Sequence, residues 1–187
     1  MLTKSNKMGL DLSINSTGIC INDNGKLMYI NIVPEVTRSQ RRNEYEIAKN
    51  EKFRDVVGLK MIEYQKHDGD DDYNIFQIKS IISILIDDYN IKEVTLEAPA
   101  LQASGRATAT MAGLNYVIRQ LLIEKGITFK LVQPTTLKKW FTGNGRADKG
   151  LMVRCWRELE PMANELKAMK IDDFADSYAL LSYNVDN

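Results

Sequence analysis

The chain has 187 residues, 44% apolar and 27% charged, and its 25 Lys and Arg balance 25 Asp and Glu to a net charge of zero. That length suits one buried core rather than two, and no stretch approaches the roughly 20 apolar residues of a membrane helix. A membrane-spanning or disordered chain is therefore excluded, and a single domain over residues 1–187 is expected.

The N-terminus enters a strand without the basic, apolar and small-residue regions of a signal peptide, and Cys20 and Cys155 are the only cysteines. A reducing cytoplasm is expected, the host's if the protein is viral, with both thiols serving as packing groups. Lys7 to Ile14 reads as a strand with one carboxylate, Asp11, at its centre. "NSTG" reads as a turn, Ile19 to Asn22 as a second strand, Asn24-Gly25 as a hairpin turn and Leu27 to Val33 as a third strand. Phe53, Val56, Val57, Lys60, Met61 and Tyr64 sit at helical spacing and predict a helix, although Gly58 and the β-branched pair fit a strand as well. "HDGDDDYN" lacks the alternating ligands and bidentate Glu of a calcium loop and reads as solvated.

Ile75, Ile78, Ile81, Ile82 and Leu85 share one face of a helix ending near Tyr89, and "EVTLEAP" is a short buried strand that delivers Glu97 and stops at Pro99. A helix from about Ala107 to Lys125, a strand "ITFKLV" and a helix opening near Pro134 continue an α/β alternation. The last helix, in "IDDFADSYALLSYN", carries Asp173 and Asp176 three residues apart and so on one side. Charge is uneven along the chain. Leu101 to Arg157 holds ten basic residues and two acidic ones, a local +8 against −8 for the remainder, which suggests a polyanionic partner.

Asp11, Glu97, Asp173 and Asp176 thus come from three separated elements, each beside apolar residues. A carboxylate there loses hydration, and hard divalent cations with oxygen ligands restore what is lost. Metal ligation is the best account of Asp11.

"GLDLSINSTG", "TLEAP", "GNGRADKGLM" and "DDFADSYAL", in this order, resemble the RuvC family of Holliday junction resolvases within the ribonuclease H-like superfamily, especially its phage and viral branch. The resemblance spans most of the chain and is weakest from Thr37 to Asn74. It implies an α/β fold with a mixed five-stranded sheet, three antiparallel strands and then two parallel ones, flanked by helices. It also implies that Asp11, Glu97, Asp173 and Asp176 bind two Mg²⁺ ions, with Mn²⁺ able to substitute, and that Lys149 is catalytic beside the scissile phosphate with Lys138 as a second basic group. Arg106, Lys138, Lys139, Arg146 and Lys149 are the expected DNA contacts, with Thr108 and Thr110 beside Arg106 at a helix start. Asp172 is expected on a different helix face, as a cap or a supporting group. The implied activity is hydrolysis of four-way or other branched DNA by paired cuts that leave 5′-phosphate and 3′-hydroxyl ends. Two symmetric cuts imply a C2 homodimer. The family often has an aromatic just after the strand glutamate, where this chain has Ala98, Pro99, Ala100 and Leu101, so Leu101 is the apolar candidate for a wedge.

Three other functions compete. A metal-dependent ribonuclease of the same fold acting on structured RNA would use the same carboxylates. An actin-like kinase would need a second homologous domain, for which 187 residues leave no room. A catalytically silent DNA-binding module would not need all four acids.

Overall fold

In a computed structural model, residues 6–35, 58–99, 105–160 and 171–183 are described. Strands β1 (Lys7–Asp11), β2 (Thr17–Asp23), β3 (Lys26–Pro34) and β4 (Leu59–Tyr64) are followed by helix α1 (Asp71–Asp88), β5 (Glu93–Glu97), α2 (Arg106–Glu124) and β6 (Thr128–Val132). Helices α3 (Pro134–Thr142), α4 (Lys149–Leu159) and α5 (Ile171–Ser182) complete the described elements. The strands form one sheet in the order β4-β3-β2-β1-β5-β6. β1, β2 and β3 pair antiparallel, while β5 joins β1, β6 joins β5 and β4 joins β3 in parallel.

The expected mixed sheet is present with six strands rather than five, because the segment read as a helix up to Tyr64 forms β4. Gly58 has φ +60, a left-handed conformation that interrupts a helix, and Leu59–Tyr64 then satisfies the outer backbone edge of β3. The Tyr64 hydroxyl anchors the strand by donating to the Ile14 carbonyl at 2.5 Å. Phe53, Val56 and Val57 lie outside the described residues.

Period-two alternation divides the sheet into two unlike faces. Met8, Leu10, Ile19, Ile21, Ile30 and Ile32 are buried on one face, where they meet Ile75, Ile78, Ile82 and Leu85 of α1 and Leu114, Ile118, Leu121 and Leu122 of α2. α1 starts where the Asp70 carboxylate accepts the Tyr73 N–H, so part of the acidic run is a helix cap. The register sets Gly9 opposite Cys20, Cys20 opposite Tyr29, Asp11 opposite Gly18 and Gly18 opposite Asn31, which puts all six on the other face. There α5 and α4 pack through Phe174, Ala175 and Trp156 against Cys20 and Tyr29, with the Trp156 indole N–H donating to the Tyr29 hydroxyl at 3.1 Å. Cys20 is a packing group, as expected. Among the described residues no helix is long and apolar enough to cross a membrane.

Candidate active site

β1 and β5 run parallel, and one residue beyond their Leu10–Leu96 pair stand Asp11 and Glu97, both at strand C-terminal ends. Open α/β sheets bind ligands at that edge. α5 crosses the same face and brings Asp173 and Asp176, one turn apart, to the two strand carboxylates. Such a crossing needs an unusually close approach of helix to sheet, and two glycines permit it. A Cβ on Gly18 would lie 2.4 Å from the Asp173 carbonyl oxygen, and one on Gly9 would lie 2.1 Å from that of Ser177. Gly18 is also the cross-strand partner of Asp11, so the missing side chain leaves room for Asp173 next to Asp11.

The carboxylates are held by neighbours that periodicity does not single out. The Ser16 hydroxyl bonds the Asp173 carboxylate and lies 3.3 Å from the Asn31 amide oxygen, while the Asn31 amide N–H group is 3.4 Å from the same carboxylate. Thr17 closes the turn before β2, its hydroxyl donating to the Ser13 carbonyl at 2.6 Å and accepting the Ser13 N–H at 3.1 Å. The Asn115 amide donates to the Glu97 carbonyl at 3.0 Å and fastens the end of β5 to α2.

A cavity of about 440 Å³ opens over this cluster, bounded by Asp11, Glu97, Asp173 and Asp176, by Lys138 of α3 and by Lys149 at the start of α4. Asp172 lines it too, so α5 contributes three carboxylates where two were expected, and Asp172 faces the same cavity rather than a different side. Its partner is the Lys149 ammonium. A second cleft shares Asp11 and Glu97 and runs along α2 past Pro99, Thr108 and Met111.

Burial pushes the Asp11 carboxyl well above the ordinary range, and the charges of Asp176, Glu97 and Asp173 push it further. Glu97 is raised to about 7 by burial and then by Asp176, with Lys138 opposing. Asp176 is raised to about 6 by burial and by the charges of Asp172 and Asp173, against Lys138 and Lys149. These are anions crowded into a partly dry space. Because the folded state holds protons that the unfolded chain has released at the same pH, folding takes up protons between the ordinary carboxylate range and about pH 7. Stability of the metal-free protein should therefore rise as pH falls from 8 to 5, by on the order of 5 °C in melting temperature. Glu97→Gln should flatten the profile. A melting temperature that is constant or falls between pH 8 and 5 in the wild type would contradict this electrostatic picture.

The donor chemistry fits a hard divalent cation: oxygen ligands only, clustered, and short of positive charge. As they stand, however, no three or more His, Cys, Asp or Glu side chains among the described residues are arranged to hold one metal ion. Asp11, Glu97, Asp173 and Asp176 are the residues that would have to close around an ion.

The other expected contacts separate. Lys138 and Lys149 border the cavity, whereas Lys139, on the exposed side of α3, and Arg146, in the turn after it, do not. Arg106 does not line it either. Its guanidinium pairs with Asp71 at 3.1 Å and donates to the Gly69 carbonyl, and the Thr110 hydroxyl joins the same Asp71, so this group clasps α2 to α1. Thr108 lines the second cleft. Lys125 and Lys130 pair with Asp87 and Glu93. Leu101 lies outside the described residues.

No protein-family model matches the chain, and no curated protein matches it. Among solved structures it is similar to Thermus thermophilus RuvC, with a TM-score of 0.58 at 13% identity over 94% of this chain and 90% of that one. T. thermophilus RuvC in complex with a Holliday junction substrate gives a TM-score of 0.59 at 11% identity, covering 95% and 90% of the two chains. The yeast mitochondrial Holliday junction resolvase Ydc2 gives 0.56 at 15% identity, covering 95% and 76%. At these identities the likeness establishes architecture, and the architecture is that of the RuvC-like, ribonuclease H-like α/β fold.

Proposed function

We propose that the protein is a Mg²⁺-dependent, structure-selective endodeoxyribonuclease that resolves Holliday junctions or other branched DNA, leaving 5′-phosphate and 3′-hydroxyl ends. The observation that carries this reading is one cavity in which carboxylates from β1, β5 and α5 face two lysines from α3 and α4. It is supported by the likeness to structures titled as Holliday junction resolvases, one of them bound to its junction substrate. The quoted motifs point further to the phage and viral branch of the RuvC family.

The acids suit the two-cation chemistry that activates water and stabilises charge on a phosphate in line with its leaving oxygen. Around them the chain does several separate things. Asp11 and Glu97 stand on rigid strand ends. Ser16 and Asn31 orient Asp173. Lys138 and Lys149 place positive charge at the cavity edge, where a phosphate must enter, and their fixed charges suit the anion that develops during cleavage. Paired cuts require two such sites, so a C2 homodimer is the proposed working unit, to be checked by sedimentation with and without DNA.

The test is a panel of end-labelled four-way, flapped and linear DNAs with matched RNA junctions, each incubated with Mg²⁺, with Mn²⁺ and with EDTA. Symmetric cuts in four-way DNA that need a divalent cation are expected. Preferential cleavage of the RNA junctions would favour a ribonuclease, and no cleavage of any substrate would remove the enzymatic reading. Junction binding in EDTA should fall about 10²-fold between 50 and 200 mM salt, as for roughly four phosphate contacts. Four is fewer than the local charge of +8 suggests, because Arg106, Lys125 and Lys130 are paired elsewhere.

A further inference from the structure

Lys149 is the first residue of α4, and its backbone is fixed by the cap before it, where the Asp148 carboxylate accepts the Leu151 N–H at 2.8 Å. Its side chain has no such support from its own helix. It is long, flexible and 78% exposed, and an ammonium on a free four-carbon stem samples many positions. Asp172, only 20% exposed and the second residue of α5, reaches across from the neighbouring helix and accepts a hydrogen bond from the ammonium. Both residues border the carboxylate cavity.

We propose that Asp172 is a positioning residue, tethering the Lys149 ammonium at the mouth of the cavity so that its remaining N–H donors face an incoming phosphate. This rests on the nuclease reading above and deepens it. An ammonium carries three donors and Asp172 takes one, which leaves two for phosphate oxygens. Holding the lysine before DNA arrives removes an ordering step from the reaction, which is how fixed charges outperform mobile ones. Helix spacing alone does not separate the roles of the α5 acids, because Asp172 and Asp173 both lie within one turn of Asp176. Their partners do separate them: Asp173 is bonded by Ser16 and Asn31 under the sheet edge, and Asp172 by the lysine at the mouth.

The experiment is a double-mutant cycle on the full chain, read as single-turnover cleavage of a four-way junction at saturating enzyme and as half-saturation by enzyme. Asp172→Asn should slow cleavage roughly 10-fold without raising half-saturation, a size typical of lost supporting contacts. In the Lys149→Met background the same change should have no further effect, and Asp172→Glu should restore most of the rate. Equal losses in both backgrounds, or a changed Mg²⁺ requirement in Asp172→Asn, would make Asp172 an independent participant and overturn the tether. So would wild-type rates in Asp172→Asn. A second readout needs neither DNA nor metal: nitrogen-15 relaxation of the Lys149 ammonium should show an ordered group in the wild type and a mobile one in Asp172→Asn. Equal mobility in both overturns the tether whether or not the protein cleaves DNA, while an ordered lysine in a protein that cleaves nothing overturns only the nuclease reading.

Discussion

Asp11→Asn is expected to lower Mg²⁺-dependent junction cleavage by on the order of 10³-fold while raising the melting temperature of the metal-free protein. The two effects have one origin. Burial and three neighbouring acids disfavour the charged form of Asp11, so the ionised side chain is destabilising in the absence of a cation. Asparagine keeps the shape and removes the charge. The uncharged side chain should relieve repulsion on Glu97, Asp173 and Asp176 and contribute about 1 kcal/mol of stability near pH 8, with a smaller gain at pH 5 where the cluster is already partly protonated. As a metal ligand the amide is poorer, because a hard cation prefers an anionic oxygen. Junction binding in EDTA should be equal or tighter, since one fewer anion meets the phosphate. Cleavage within a few fold of wild type would remove Asp11 from the reaction, and a lowered melting temperature would make it a structural residue.

The elements that carry the four acids were legible because each has a strong local period. The alternation around Asp11, the apolar run ending at Glu97 and the three-residue step from Asp173 to Asp176 are fixed by side-chain geometry within single elements. β4 was not legible. Its residues fit helical spacing as well as a strand, and what decides is the open edge of β3, a partner about thirty residues away. The charge of Leu101 to Arg157 points to a polyanionic partner but does not say where each basic group sits. Arg106, Lys125 and Lys130 have acidic partners on α1 and β5, and of the expected DNA contacts Lys138 and Lys149 line the cavity. Asp172 was placed on a different helix face by its position relative to Asp173, yet it lies four residues before Asp176, close enough to share the cavity. Ser16 and Asn31 had no signal at all, since a polar residue in a strand or turn is ordinary until α5 is laid over it. The glycines at 9 and 18 were visible in the motif, but only the crossing of α5 shows what they do.

Gly9→Ala is expected to be the most damaging single-methyl change in the protein. Its new Cβ would stand 2.1 Å from the Ser177 carbonyl oxygen and 2.3 Å from the Leu181 nitrogen, both backbone atoms of α5 that no rotamer change can move. The helix must lift from β1 or the strand must bend, at about 3 kcal/mol or more. Ala175, Ala179 and Leu180, all buried residues of α5 itself, would lose contact as it lifts, and Asp173 and Asp176 would move away from Asp11. Gly18→Ala puts its Cβ 2.4 Å from the Asp173 carbonyl oxygen, in the first turn of α5 rather than its middle. It should therefore lower cleavage more, relative to its loss of stability, than Gly9→Ala does. Gly113→Ala sets the opposite control. It lies within α2, where an added Cβ makes an ordinary 3.6 Å contact with Ile75, so the gain in helix propensity should stabilise the protein by about 0.5–1 kcal/mol. Urea unfolding of the three variants checks the order, with cleavage measured on those that remain folded. If Gly9→Ala were as stable as wild type, α5 would not lie directly on β1, and the route by which the last helix brings its carboxylates to Asp11 would have to be redrawn.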